Sequence, residues 1–313
     1  MKKILVTGGA GFIGSHLVNN LINSGHKVYV VDNLRTGKLS NINPKAEFFK
    51  FDLVDNSSYK VLPKKIDLVF HLAAQVSNEA SYIDPLLDLN ANSLSSLNLL
   101  EWSKKNSIKK FIFTSTMGVY KDNLGFPAEE DALLEPKGFY GINKRSIEQY
   151  IKIYSEVGLN ASILRLFNVY GPGQNMQDTM QGMLSIYMNF IWNKKRIEIK
   201  GSLERERDFI YVDDVVDALN KVGFSNKKYE IYNVCTGKKT TVKESISLML
   251  KAFDEDENYP ITILERTPRD IDSIYGSNKN INKDYNWTPK VNLKDGIGKM
   301  VAWLLLKDDK IKK

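Results

Sequence analysis

Cysteine is nearly absent, with Cys235 alone in 313 residues. That excludes an intrachain disulfide. With only His16, His26 and His71 as company there is no Cys/His cluster spaced for zinc, so no metal is expected. Long apolar runs are missing too. None approaches the roughly eighteen residues of a membrane-spanning helix, and the N-terminal MKKILVTGG turns to glycine where a signal peptide needs a longer apolar stretch. The expectation is a cytoplasmic protein with no membrane partner. Internal repeats, low-complexity segments and a long linker are likewise lacking. Positive charge exists (44 Lys and Arg against 37 Asp and Glu, net +7) but is scattered, as on a solvated surface or in a field that attracts a phosphorylated ligand. Nucleic acid is not required. What is left, 42% hydrophobic and 26% charged residues, suits a large core or two packed domains.

Up to about residue 165, short apolar runs alternate with helical patterns. KKILVT, KVYVVD, AEFFKF, DLVFHL, KKFIFTS and ASILRLF read as strands. Such alternation predicts an α/β fold, a doubly wound parallel sheet with helices on both faces. One helix should start at Asp84 and Pro85, a cap and a first-turn proline, and run through a leucine stripe to Lys104, Lys105 and Asn106. Another should run from about Gly141 to Glu156, stopped by Gly158. Past Phe167 the alternation fails: NVYGPGQNMQD leads to a helical MLSIYMNFIW and a strand-like KRIEIKG. The expected division is a dinucleotide-binding domain over 1–166, rejoined by about 208–235, and a smaller substrate domain mainly over 167–313, laid on the carboxyl edge of the sheet.

TGGAGFIG, just after the first strand, spaces Gly8, Gly11 and Gly14 by three. Glycine in regular structure costs about 1 kcal/mol relative to alanine, so something must approach this backbone closely. In strand–glycines–helix order, Gly8 makes the tight turn and Gly11 admits a pyrophosphate. Gly14 lets helix and strand pack, and the opening residues Phe12 and Ile13 present the helix N-terminus to phosphate. Asp32, followed by Asn33, ends the second strand where a carboxylate accepts from an adenosine ribose, favouring NAD over NADP, although Arg35 nearby could take a 2′-phosphate. Asp52 and Leu53 close the third strand and are placed to bracket adenine. Leu72, Ala73 and Ala74 follow the fourth, offering small residues where a cofactor lies flat.

Tyr140 and Lys144 are four apart, on one helical face, and Ser115 and Thr116 end the fifth strand. An ammonium beside the phenol can bring its pKa down from about 10 toward that of a working base, with Thr116 holding the reacting hydroxyl. Cys235 reads as a small buried hydrophobe, and Tyr211, Val212 and Asp213 as core support.

TGGAGFIG, VVDNLRTG, HLAAQ, TSTMGVY, YGINK, LRLFNVYGP, RDFIYVDDVVDAL, YNVCTG and NWTPKVNLKDGI together resemble the extended short-chain dehydrogenases/reductases, specifically the nucleotide-sugar epimerase/dehydratase family, over nearly the whole chain. DNLRTG and FNVYGPGQ most resemble the UDP-hexose 4-epimerases. The resemblance implies a Rossmann-type domain that keeps NAD bound and a UDP-sugar substrate. Tyr140 would take the 4-hydroxyl proton, and Lys144 would also bind the nicotinamide ribose. It implies a homodimer through helices near 86–105 and 141–157. Asn168 and Arg207 match positions that bind the diphosphate, the alternative for Arg207 being an ion pair with Glu204 or Asp208. Where the family carries Arg-Pro-Gly-Asp, this chain has Thr267-Pro268-Arg269-Asp270, leaving Arg266 or Arg269 as substitutes. Ile274, four beyond that aspartate, falls near the sugar in related epimerases.

The family's dehydratases follow their threonine with Asp-Glu and its UDP-xylose-forming decarboxylases need a glutamate there. Met117 and Gly118 supply no acid, so both readings are poor. A 4-keto reductase using the same Tyr, Lys and Thr stays open, as does an idle NAD-binding regulator on the same fold.

Overall fold

The computed structural model of the chain describes residues 1–178, 180, 182–266 and 269–311. It divides into two compact units, one of residues 1–119, 134–166 and 215–232, the other of 120–133, 167–214 and 233–313.

The first unit holds β1 (Lys3–Thr7), β2 (Lys27–Asp32), β3 (Glu47–Lys50), β4 (Leu68–His71), β5 (Lys110–Thr116) and β6 (Ala161–Leu166). With the strand Glu230–Val234 outside β6, the spatial order is that strand, then β6-β5-β4-β1-β2-β3. β1 to β6 pair in parallel throughout. Their continuous apolar runs have this cause: a parallel sheet is covered on both faces, so Ile4, Leu5 and Val6 are all fully buried. Strand order reverses at β1, with β2 on one side and β4 on the other. Ligands of open α/β sheets bind outside the carboxyl ends of the strands at such a reversal. The crossover helices are α1 (Phe12–Asn23), α2 (Asn78–Ile83), α3 (Pro85–Leu89), α4 (Ser95–Lys105) and α5 (Phe139–Glu156). Leu99 and Leu100 of α4 pack with Ile147 and Ile151 of α5 and Phe111 and Phe113 of β5 in one core cluster.

Three boundaries differ from expectation. The helix foreseen from Asp84 to Asn106 is not continuous. Asp84 does cap α3, accepting from the Leu87 amide at 2.9 Å, but a π-helical turn over Asn90–Leu94 separates α3 from α4. Such a bulge comes from tertiary constraint and carries no periodicity signal. α5 begins two residues early, placing Tyr140 in its first turn. β3 ends at Lys50, so Asp52 and Leu53 lie past the strand.

The second unit is built from short parallel pairs, Asn168–Tyr170 with Phe209–Tyr211 and Ile197–Lys200 with Ile261–Leu264, and a three-stranded piece centred on Glu206–Arg207. Helices Met183–Trp192, Val242–Ala252 and Leu293–Ile311 accompany them. The C-terminal NWTPKV is pinned at Asp214, whose carboxylate accepts from the Lys290 and Val291 amides at 3.0 Å each while its carbonyl accepts from buried Trp287 Nε1 at 3.2 Å. Among the described residues no helix is long and apolar enough to cross a membrane, and no cluster of His, Cys, Asp or Glu could hold a metal ion.

A methyl on Gly14 would sit 2.1 Å from the Gly8 carbonyl oxygen, whereas one on exposed helical Gly298 meets nothing within 4 Å. Gly14→Ala should therefore lose about 1–3 kcal/mol and Gly298→Ala gain about 0.5–1 kcal/mol, opposite signs readable by urea denaturation.

Candidate active site

At the sheet's reversal, Gly8 has φ +72°, in the left-handed region. A side chain there would meet the Ala73 backbone at 2.7 Å, because the segment after β4 passes directly over the loop, held by the Leu72 amide on the Thr7 carbonyl at 3.2 Å. Gly11 is the extended N-cap of α1. No side chain caps it, and no acidic residue lies in the first turn, so the positive helix end is not neutralised from within. Asp32, at the end of β2, accepts from the Ala10 and Leu34 amides at 3.0 and 2.8 Å. Asn33 Nδ2 donates to Asp52 at 2.9 Å, and buried Leu53 accepts through its carbonyl from Tyr59 at 3.0 Å. Arg35 is exposed, its amide on Asn33 Oδ1. A side-chain-free cradle, an unopposed helix N-terminus and a carboxylate closing β2 are what a dinucleotide's pyrophosphate and ribose need.

At the end of β5 the structure gathers Thr116, Tyr140 and Lys144. Gly141 makes the approach possible, since a methyl there would lie 2.5 Å from the Gly118 carbonyl oxygen. α5 therefore starts hard against the turn after β5, and the Tyr140 phenol reaches a hydrogen bond with the Thr116 hydroxyl. Burial raises the Tyr140 pKa, the bond to Thr116 lowers it and the Asp88 charge raises it. Lys144 is 3% exposed; its Nζ donates to the Thr114 carbonyl at 2.9 Å and lies 4.6 Å from the Phe113 ring centre and 5.9 Å from that of Tyr140. Burial pushes its ammonium down to about 7, against the upward pull of Asp88 and then Glu148.

Several buried partners carried no sequence expectation. His71 bridges Thr7 (2.7 Å) and Ser96 (2.8 Å), and burial followed by the Lys144 charge pushes it down to about 3, so it is neutral at physiological pH. Glu148, fully buried four residues past Lys144, takes Arg165 in a two-point pair at 2.9 and 2.8 Å and Arg145 at 3.1 Å. An arginine inside the apolar run ILRLF and a glutamate continuing the Tyr140–Lys144 face were the available signals. The Ser115 hydroxyl donates to Glu148 at 2.6 Å and is buried. Alternation along β5 turns it away from Thr114 and Thr116.

In the second unit Arg207 is 3% exposed and donates to Asp270 Oδ1 at 3.0 Å and to the Ile271 carbonyl at 2.6 Å. The foreseen alternatives, Glu204 and Asp208, are not its partners. Asp208 instead accepts from Thr236 and Gly237. Arg205, also buried, holds the other oxygen of Asp270, an arginine the sequence did not single out. Asn168 Nδ2 donates to the Asp208 carbonyl at 2.9 Å. Buried Ile274 pairs in register with Arg207. Arg269 is exposed with φ +55°, and Arg266 pairs with Asp272 at 2.8 Å. Thr267 and Pro268 lie outside the described residues. Cys235 is buried, its thiol pushed up by burial.

Residues 4–235 match the NAD dependent epimerase/dehydratase family. The chain belongs to that family. A putative UDP-glucose 4-epimerase of Methanocaldococcus jannaschii is 37% identical over 96% of this chain and 98% of its own length. The crystal structure of a Thermotoga maritima UDP-glucose 4-epimerase with UDP-glucose superposes with TM-score 0.93 at 36% identity, covering 97% of this chain and 99% of that one. UDP-glucuronic acid decarboxylase 1 of Arabidopsis thaliana is 30% identical over 96% of this chain and 69% of its own length. The chain is thus a member of an NAD-dependent enzyme family acting on nucleotide sugars, with a Rossmann-type sheet.

Arg165→Leu would leave Glu148 buried with one partly exposed arginine. It should cost about 3–5 kcal/mol in a denaturant titration, the loss seen when half of a buried ion pair is removed.

Proposed function

We propose that the protein is an NAD-dependent 4-epimerase of a nucleotide sugar, a UDP-hexose or UDP-N-acetylhexosamine. The observation that carries this reading is the grouping of Thr116, Tyr140 and Lys144 with no acid at Met117 or Gly118. A dehydratase or decarboxylase needs a further carboxyl there; an oxidation that is simply reversed does not.

The sugar's 4-hydroxyl donates its proton to Tyr140, whose phenolate is stabilised by the ammonium of Lys144 and the hydroxyl of Thr116. Bound NAD supplies the hydride acceptor at C4 and the hydride donor for the return. Turnover of the 4-keto sugar before that return exposes its other face, and Tyr140 gives the proton back. Gly8, Gly11, Gly14 and the first turn of α1 would hold the pyrophosphate, and Asp32 with Asn33 the adenosine ribose. Asp52, Leu53 and Leu72–Ala74 would line the base and the flat of the cofactor. Asn168 and Arg207, with Arg269, are assigned to the diphosphate, and Ile274 to the neighbourhood of the sugar. Exposed Leu86, Leu89 and Leu94 before α4 and Ile142, Ile153 and Val157 along α5 support a homodimer through these segments. A monomeric mass by light scattering at micromolar concentration would reject it.

Purified protein without added cofactor, incubated with UDP-glucose, UDP-galactose or their N-acetylated forms, should approach a mixture of C4 epimers from either side in proton NMR. Tyr140→Phe should slow this at least about 100-fold, the low end for a lost general base. No interconversion of any of the four by protein that binds NAD would overturn the reading.

A further inference from the structure

His71 is fully buried at the end of β4 and belongs to no role assigned above. Its ring stands between two hydroxyls, with Thr7 Oγ1 at 2.7 Å from Nδ1 and Ser96 Oγ at 2.8 Å from Nε2. The Ser96 hydroxyl also reaches the Asn92 carbonyl. A serine hydroxyl has one proton and a carbonyl oxygen only accepts, so that proton lies on the Asn92 side and His71 Nε2 must donate to Ser96. Burial and the Lys144 charge leave the ring a single proton. Nδ1 is therefore bare and takes the Thr7 hydroxyl proton, which leaves Thr7 Oγ1 as the acceptor for the Ala73 amide at 3.3 Å. One serine proton thus sets the direction of every bond from Ala73 to Asn92.

These bonds form a closed circuit. Asn92 Nδ2 donates to the Gln75 carbonyl at 3.0 Å, so the path Ala73, Thr7, His71, Ser96, Asn92, Gln75 returns two residues beyond its start. It draws on β1, β4, α4 and the π-helical turn, and its four side chains are each at most 1% exposed. What it holds is the stretch that passes over Gly8. A side chain on Gly8 would meet the Ala73 nitrogen at 2.7 Å and the Leu72 carbonyl carbon at 2.9 Å. Both ends of the stretch hang from His71, Ala73 through Thr7 and Gln75 through Ser96 and Asn92.

We propose that His71, as its Nε2–H tautomer, is a positioning residue for the cofactor, holding Leu72, Ala73 and Ala74 over the glycine loop where the dinucleotide binds. The role rests on the reading of those three residues as lining NAD, whereas the tautomer and the circuit do not. His71 acts through Thr7 and Ser96, whose hydroxyls it orients. Its carbonyl fixes the same level of the sheet from the other side, accepting from the Thr114 hydroxyl at 3.1 Å. A segment ordered in advance loses less conformational freedom when the ligand arrives, and the difference appears as affinity.

Two-bond proton–nitrogen NMR of histidine-labelled protein reads the tautomer, the His71 signal being the one that survives in a His16→Gln, His26→Gln variant. An Nε2–H pattern is expected; an Nδ1–H pattern or a doubly protonated ring at neutral pH overturns the proposal. Calorimetry with NAD, on protein freed of nucleotide, tests the role. His71→Phe and Thr7→Val should each weaken NAD about tenfold, the worth of one well-placed hydrogen bond. The double variant should bind no more weakly than the worse single, because the two side chains act as one unit. Leu159→Ala, a buried truncation just before β6, should lose stability with the Kd for NAD unchanged. Losses that add, or a Kd weakened as much by Leu159→Ala as by His71→Phe, would make His71 a core residue only and overturn the proposal. Should His71→Phe not fold, Ser96→Ala takes its place in the cycle with Thr7→Val. A wild type that binds no NAD refutes the cofactor reading and the role with it. Hydrogen exchange over residues 72–75, expected at least about tenfold faster in Thr7→Val but not in Leu159→Ala, then decides whether the circuit holds the segment.

Discussion

A lysine ammonium buried beside a tyrosine is the constraint around which the first unit is organised. Water would solvate that charge far better than the sheet edge does, so the protein must replace the lost hydration with fixed groups. It does so with the Thr114 carbonyl at 2.9 Å, the face of Phe113 and the carboxylates Asp88 and Glu148. Each of those carboxylates then needs its own support. Glu148 recruits Arg165 from β6 and Ser115 from β5, which ties α5 to two central strands. Asp88 recruits amides from the segment after β4, from the π-helical turn and from α5. The buried polar residues of this region form one chain of consequences from a single charge.

Backbone proximity is the other half of the design. Gly8, Gly14 and Gly141 stand where a methyl would lie 2.1 to 2.7 Å from a neighbouring backbone atom. Two of these contacts bring the start of α1 and the segment after β4 onto the glycine loop after β1. The third brings α5 onto the turn after β5, and so brings Tyr140 to Thr116. The proposed cofactor cradle and reacting group are both set by close backbone packing, the one after β1 and the other after β5.

The sheet was legible because continuous burial leaves continuous apolar runs, as in KILVT and KVYVVD, and the cradle because close approach demands glycine at fixed spacing. The Tyr140–Lys144 face followed from helical geometry. What escaped was whatever depends on contacts distant in sequence. Ser115 looked like a neighbour of Thr116, but strand alternation hands it to Glu148. Asp88 carried no sequence expectation, because neither Gln75 nor Asn143 announces a carboxylate partner. The π-helical turn over Asn90–Leu94 is a feature that no period in LLDLNANSL records. Arg207 was foreseen, but its partner Asp270 lies 63 residues on in a stretch that departs from the family's pattern.

The central claim is that Lys144 is a lysine held close to neutrality by burial and kept charged by its neighbours. Nitrogen-detected NMR of the lysine ammonium groups, with the Lys144 signal identified by its loss in Lys144→Met, follows that charge directly through a pH titration of the protein. A midpoint near 7 is expected. A midpoint near the ordinary lysine value of about 10.4 would contradict the account, because the ammonium would then be as well solvated as one on the surface.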